Sequence, residues 1–317
     1  MLNKKYFTLF GIVFSFALIF GLTACTWEEL KVKMQYNPEV GETYHVFMTS
    51  DQVISQTYEG QNVILTQTIG MGYSMAAVEK DEQGIWMDIT YDRIVFKQIG
   101  PMGEVAYDSD NPPAEVPAQA LGYKALLGNG FSVKTDPAGK IIEVKNFEAF
   151  IDGVLKNLNI EDESTLEQVR ATIEKQYNEE SIKEMVGNAL IQYPEGEVKI
   201  GDSWTSQITM TISSMALSLQ NNYVLSDYKD NTATIQVTSQ ILNDPNAAPL
   251  DLGAYQMKYA LEGLQTGQIT VDTLTGCSMN STITQTMSGT VSLIMGTEAM
   301  TLPITINGVT HVEIAKK

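Results

Sequence analysis

Alternation of apolar and polar positions with a period of two runs through most of the chain. Tyr44, Val46 and Met48 alternate with His45, Phe47 and Thr49. Ile85, Met87, Ile89 and Tyr91 alternate with Trp86, Asp88 and Thr90, and Ala233, Ile235 and Val237 with Thr232, Thr234, Gln236 and Thr238. Successive side chains of a strand point to opposite faces, so each segment is predicted to be a strand with one covered face. Val63 to Ile69 is rich in β-branched residues and adds another. Turn residues punctuate these runs at Pro38–Thr43, at Asp81–Gly84, at Asp136–Gly139 between two halves of a hairpin, and at Leu274–Gly276. Asn307-Gly308, between Thr301–Ile306 and Val309–Ile314, has the composition of a two-residue hairpin loop. Met287-Ser288-Gly289 reads as a strand break. Gly100–Gly122 contains Pro101, Pro112, Pro113 and Pro117 and is expected to be an irregular crossing.

The period changes in the middle of the chain. Phe147, Phe150, Ile151, Val154, Leu155 and Leu158 recur at helical spacing. Ser164-Thr165-Leu166-Glu167 has the form of a capping box with Ser164 as N-cap, leading into Leu166, Val169 and Ile173. Ile182, Met185, Val186, Ala189 and Leu190 predict a third helix that stops before Pro194.

The strand-rich parts repeat some of their punctuation. Val40-Gly41-Glu42-Thr43-Tyr44 opens the first and Ile200-Gly201-Asp202-Ser203-Trp204 the second. Val133–Gly139 has a counterpart in Thr270–Gly276, in the same order. The expected class is therefore α+β, predominantly antiparallel β. Two similar β-rich lobes, 38–145 and 195–317, would flank or pack on a helical segment of two to three helices at 146–194. Sheets that are amphipathic in this way need cover on one face.

The N-terminus has a different character. Lys4 and Lys5 precede an uncharged, mostly apolar stretch from Tyr6 to Leu22, the layout of a secretory signal. Leu22-Thr23-Ala24-Cys25 resembles the lipobox of bacterial lipoproteins. That resemblance implies cleavage after Ala24 and a lipid on the Cys25 thiol; residues 25–37 are then read as a lipidated tether, with a short edge segment as the alternative from Thr26 to about Asn37. Two or more acyl chains hold a soluble body at a bilayer, where one is marginal. Thr26 stands where many such proteins of Gram-negative bacteria carry an inner-membrane retention aspartate, so in a Gram-negative host an outer-membrane address is favoured.

Charge narrows the range of partners. The net charge is −18, and removing residues 1–24, which hold Lys4, Lys5 and no acid, takes it to −20. Such a chain repels phosphate backbones and shows no local basic run, which excludes nucleic acid as an expected partner. Cys277 is the one other cysteine, so with Cys25 lipidated no intramolecular disulfide forms and the fold stands on its core.

Chemistry is sparse. His45 and His311 are the chain's two histidines, and nothing local places a third ligand beside either. No Gly-x-Ser-x-Gly elbow occurs, and Cys277 has no neighbouring base. No cofactor is implied. Asp108 and Asp110, with Tyr107 beside them, offer carboxylates for a ligand or for a turn. Trp86 and Trp204, with Tyr44 and Tyr91, could form an aromatic platform. Met210, Met215, Met257, Met279, Met287, Met295 and Met300 could fill a core or line an adaptable apolar pocket.

The lipobox, the GETY opening, the YDSD segment (Tyr107–Asp110), the DPAGKI hairpin (Asp136–Ile141) and GDSW together resemble an uncharacterised family of bacterial lipoproteins of similar length. The resemblance implies an architecture and an address but no catalytic residue. The expected function is a lipid-anchored, non-catalytic cell-envelope protein that binds or scaffolds, with a hydrophobic ligand as the sharper version. The alternatives are an envelope hydrolase acting on glycan or peptide through paired carboxylates, and a structural subunit of an envelope assembly.

Overall fold

The computed structural model describes residues 30–58, 60–176, 182–183, 186–187, 190–212, 215–243, 249–251 and 255–317. The chain divides into Met1–Leu30 and Lys31–Lys317, and every element below belongs to the second unit. The lipobox residues Leu22, Thr23, Ala24 and Cys25 lie outside the described residues.

The first half forms β1 (Lys31–Val32), β2 (Thr43–Tyr58), β3 (Gln61–Lys80), β4 (Ile85–Gly100) and β5 (Gly103–Asp108), then α1 (Leu121–Ala125), β6 (Gly130–Thr135) and β7 (Ile141–Lys145). Helices α2 (Phe147–Leu158) and α3 (Glu163–Gln176) follow. The second half forms β8 (Val198–Lys199), β9 (Ser203–Ile212), β10 (Met215–Lys229), β11 (Thr232–Asn243), β12 (Leu250–Asp251), β13 (Gln256–Asp272), β14 (Cys277–Met295) and β15 (Glu298–Lys316).

Apart from the β1–β8 pair, the strands make one antiparallel sheet of 13 strands. Its main path runs β7-β6-β4-β3-β2-β15-β14-β13-β11-β10-β9, with β5 beside β4 and β12 beside β13. The mostly antiparallel β architecture with helices agrees with the predicted class. The two strand sets expected as lobes share this sheet, joined by β2 and β15 from Gln56↔Ile304 to Tyr44↔Lys316. They separate in their cores. One apolar cluster gathers Val46, Met87, Phe131 and Val133 under Phe147 and Phe150 of α2. Another gathers Val32, Met34, Tyr193, Leu225, Ile235 and Val271. Both cores lie on the same face of the sheet, called the inner face below.

The repeated punctuation has the same geometry in both places. Gly41 (φ 95) donates its N–H to Ala77 O, and Gly201 (φ 93) to Leu225 O, each at 2.8 Å. The Glu42 carbonyl accepts from Ala77 N–H at 2.9 Å and the Asp202 carbonyl from Leu225 N–H at 3.0 Å. Farther along, Asp136 Oδ1 accepts from Ala138 N–H at 3.0 Å, and Asp272 Oδ1 from Leu274 N–H at 3.1 Å. Acids and glycines recur together at these turns because the acid satisfies free turn amides and glycine tolerates positive φ.

Several expectations are corrected. Asn307-Gly308 makes no hairpin; β15 runs straight through it, with Gly308 paired to Gln52 on one side and Gln285 on the other. Full pairing on both edges satisfies every backbone group there, which outweighs the local turn preference. The turn falls at Gly296 (φ 61), closed by the pair Met295↔Glu298. Met287-Ser288-Gly289 is no break either, because β14 continues through it. Of the two readings of residues 31–37 the tether is corrected and the strand segment holds: Val32, Met34 and Tyr36 are buried in the two cores, and β1 pairs with β8. Their period-two spacing carried that message. The α3 N-cap is Asp162 and not Ser164. Asp162 Oδ1 accepts the Thr165 N–H at 2.7 Å, and the helix begins at Glu163. Asp is as strong a cap as Ser, and this one sits three residues before the free amide it binds. Within the expected crossing at Gly100–Gly122, β5 is an ordered hairpin partner of β4, residues 109–117 are irregular as expected, and a 3-10 turn at Ala118–Ala120 leads into α1. The third helix is described only at 182–183 and 186–187, where the backbone is helical.

Candidate functional site

The inner face of β13, β14 and β15 carries a continuous apolar strip. Cross-strand partners share a face, so the register defines its rows. The first row is Met257, Leu293 and Met300; the next is Tyr259, Val291 and Leu302. Leu261, Gly289 and Ile304 form the third, and Gly263, Met287 and Ile306 the fourth. The fourth row continues into β2 and β3 through Ile54 and Leu65, and into β11 through Ile241. At about 3.4 Å per residue, the strip from Met257 to Gly263 is about 20 Å long. That exceeds half the hydrocarbon thickness of a bilayer, about 15 Å.

Glycines shape the strip. A Cβ on Gly263 would run into Thr286 O and Met287 Cγ, and one on Gly289 into Ala260 O. The missing side chains let β13 and β14 approach closely and leave notches between the bulky residues. Helical cover lies elsewhere: α2 packs on β6 and α1 on β4. Met257, Tyr259, Leu293, Met300, Leu302, Ile304 and Ile306 are consequently only half-buried, whereas Leu261, Met287 and Val291 are buried.

Below the fourth row the same face turns polar. Gln265, Gln285, Gly308, Gln52, Gln67 and Gln98 are successive cross-strand partners from β13 to β4. Ser239, Asn221 and Ser206 extend the row to β9. Gln265 Nε2 donates to Gln285 Oε1 at 3.0 Å, and Asn221 Nδ2 to Ser206 Oγ at 3.1 Å. Gly308 leaves room for the Gln285 amide, whose nitrogen lies 3.2 Å from where a Cβ on Gly308 would stand. The structure thus brings together an apolar strip and an amide ledge. Of the strip, the sequence points to Met257, Met287 and Met300 as candidates to line an apolar pocket; the ledge goes unpredicted, although glutamine at positions 265 and 285 within period-two strands is a visible signal.

The opposite face carries two open depressions. One, of about 500 Å³, is lined by Asp51, Thr68, Lys97, Thr284 and Val309, with Thr68 Oγ1 donating to Asp51 Oδ1 at 2.5 Å. The other, of about 630 Å³, holds both His45 and His311. Among the described residues no three His, Cys, Asp or Glu side chains gather to hold a metal ion.

The residues singled out from sequence are dispersed. Tyr107 is buried in a small core with Ile94, Phe96 and Ala120. Asp108 and Asp110 flank Arg93, at 3.9 Å from its Nη2 and 3.2 Å from its Nε, respectively. The Asp110 N–H donates to Asp108 Oδ1 at 3.0 Å, and Ser109 Oγ accepts the Ile94 N–H at 3.0 Å. This segment is a turn pinned to β4. Trp86 is buried beneath the Lys145 and Lys134 ammonium groups, 3.7 and 5.9 Å from its ring centroid. Lys134, itself buried, is held by Asp81 at 2.6 Å. Trp204 stacks on Tyr223 at 5.5 Å and donates its indole N–H to Gln192 O at 2.8 Å. The two tryptophans sit on β4 and on the edge strand β9 and form no common platform: Trp204 packs on the second core, while Trp86 lies under the two lysines on the opposite face. Of the methionines, Met257, Met287 and Met300 line the strip, while Met279 and Met295 are exposed. The side chains of Met210 and Met215 lie outside the described residues. Cys277 is buried beside Tyr44, and burial pushes its thiol up to about 11.

The carboxylates with displaced pKa values all move down. Lys316 and Tyr44 hydrogen-bond Glu42, Lys134 hydrogen-bonds Asp81, and Thr165 hydrogen-bonds Asp162. These groups are held ionised, the opposite of what a general acid requires.

The fold and this face define an open β-meander protein with an apolar inner strip above an amide ledge. The chain belongs to a family of unknown function (DUF6263), whose model matches residues 82–278. No curated protein matches its sequence. Among solved structures it is similar to lipovitellin, in a structure describing lipid–protein interactions, at 10% identity with a TM-score of 0.48. That match covers 87% of this chain and 25% of the lipovitellin chain, so this chain spans a quarter of that relative. It is also similar to an outer membrane channel from Pseudomonas putida F1, at 9% identity and a TM-score of 0.28, over 88% of this chain and 98% of that one. A third likeness is to OpdQ of Pseudomonas aeruginosa, at 7% identity and a TM-score of 0.18, over 86% of this chain and 99% of that one.

Proposed function

We propose that the protein is a lipid-anchored, non-catalytic cell-envelope protein that holds a hydrophobic ligand against the inner face of β13, β14 and β15. The observation that carries this reading is the four-row apolar strip, half-buried, with the helices of the described residues packed elsewhere on the sheet. Leaving it wet is unfavourable, at about 25 cal/mol for each Å² of apolar surface in contact with water, and exposed apolar patches mark binding sites. The sheet supplies rigid walls, and the methionines at the open end of the strip adapt to the ligand. The anchor is the lipid on Cys25, expected from the lipobox resemblance, with the outer membrane as the favoured address. In this reading the two β-rich halves act as two lobes, each with its own core, sharing one sheet between them.

Native mass spectrometry of the protein purified from its own membrane tests the reading. A bound mass of lipid size is expected on the wild type, lost in Ile304→Asp. A protein free of any such mass, or one that keeps it equally in Ile304→Asp, overturns the proposal. Acylation of Cys25 is checked separately by incorporation of labelled palmitate, which Cys25→Ser should abolish.

A further inference from the structure

The apolar strip offers no polar group by which to distinguish one lipid from another, whereas the ledge beneath it offers amides. Between Met257 and Ile269 on β13, Ile283 and Met295 on β14, Met300 and Val312 on β15, and Tyr44 and Gln56 on β2, the inward positions hold no charged residue. This occurs in a chain with 38 acidic and 20 basic side chains. A single row there holds the amides Gln265, Gln285, Gln52, Gln67 and Gln98, on β13, β14, β2, β3 and β4, with Gly308 at the β15 position. Gln265 and Gln285 are locked together at 3.0 Å, while the Gln67 and Gln98 amides have no protein partner among the described residues.

An amide offers both donors and an acceptor, so such a row matches hydroxyl, ester or amide groups. A phosphate or carboxylate would meet no cation among these inward positions and would lose hydration without a compensating partner. Resting on the lipid-binding reading above, we propose that the ligand is an uncharged amphiphilic lipid. Its hydrocarbon chain lies along the four apolar rows, and its hydroxyl, ester or amide headgroup sits on the glutamine ledge. The ledge is the specificity element; the strip supplies affinity.

The test uses the full chain carrying Cys25→Ser, which bears no acyl anchor of its own. Its affinity for three lipids with the same oleoyl chain is measured by calorimetry at pH 8: monoolein, oleate and lysophosphatidylglycerol. Monoolein is expected to bind at least tenfold more tightly than either anion. Gln285→Lys, checked for an unchanged thermal transition, is expected to raise the affinity for oleate relative to monoolein by at least tenfold. Gln285→Leu is expected to weaken monoolein while leaving the anions weak. Equal binding of all three lipids, with no change of preference in Gln285→Lys, overturns the neutral-headgroup proposal and leaves the apolar strip as a site. Failure of every lipid to bind overturns the lipid-binding reading itself.

Discussion

Tyr36 and Tyr193 hang from the same turn: the Tyr36 N–H donates to Pro137 O at 2.8 Å and the Tyr193 N–H to Ala138 O at 2.9 Å. Both rings are buried, and the Tyr193 hydroxyl donates to Gly276 O at 2.8 Å. The segments leading to the two glycine turns thus converge on the two acid–glycine hairpins and lock the cores at one end of the sheet.

This convergence makes the hairpin glycines far less replaceable than the opening ones. A Cβ on Gly276 (φ 65) would overlap Gln35 O, whereas one on Gly41 (φ 95) meets nothing within 4 Å. Gly41→Ala is expected to cost about 1 kcal/mol from backbone strain alone, and Gly276→Ala about 3 kcal/mol or more. Urea denaturation of the two variants checks this; equal losses would contradict the convergence.

Acid should release the Lys134 clamp. Asp81 is held below the usual carboxylate range, first by its hydrogen bond from Lys134. A depressed folded-state pKa gives stability that is complete above the unfolded value, about 3.9, and that disappears as pH falls through the folded value. Asp81→Asn is therefore expected to be less stable than wild type at pH 7, with the gap closing below about pH 4. Thermal unfolding measured across that range checks the sign. A gap that persists unchanged at pH 2 would show that the ion pair is not its source.

Cys277 should be silent in the folded protein. Its thiol is buried and pushed up to about 11, mainly by desolvation. In Cys25→Ser, where it is the sole cysteine, labelling by iodoacetamide at pH 8 is expected only in denaturant. Rapid labelling of the native protein would place Cys277 at an accessible surface.

Much of this fold was legible because burial alternates where the residues alternate. Ile85, Met87 and Ile89 on β4, and Ala233, Ile235 and Val237 on β11, are all buried on the inner face. The turns at Asp81–Gly84 and Asp136–Gly139 form as their chemistry demands, with Asp81 Oδ1 accepting the Gln83 and Gly84 N–H groups. Asn307-Gly308 misled because a local preference of that size yields to ladders on both sides of β15. Residues 31–37 leave tether and edge segment both open, because a short alternating run looks like a linker until its partner, β8, is known. The amide ledge was out of reach for a further reason. Gln52 and Gln285 are distant in sequence and meet in one row only through Gly308, and cross-strand register is not encoded in any single strand. Asp108 and Asp110 looked free for ligand chemistry because nothing nearby in sequence announced that Arg93 would lie against them.

The most direct measurement is photo-crosslinking with a diazirine-bearing oleoyl glycerol, with the attachment sites mapped by peptide mass spectrometry. Attachment is expected at Met257, Leu293, Met300, Leu302 and Ile304, and to be suppressed by excess monoolein. Attachment confined to the opposite face, at the depression around Asp51 and Thr284, or spread without saturation over the whole surface, would contradict a lipid site on the inner strip.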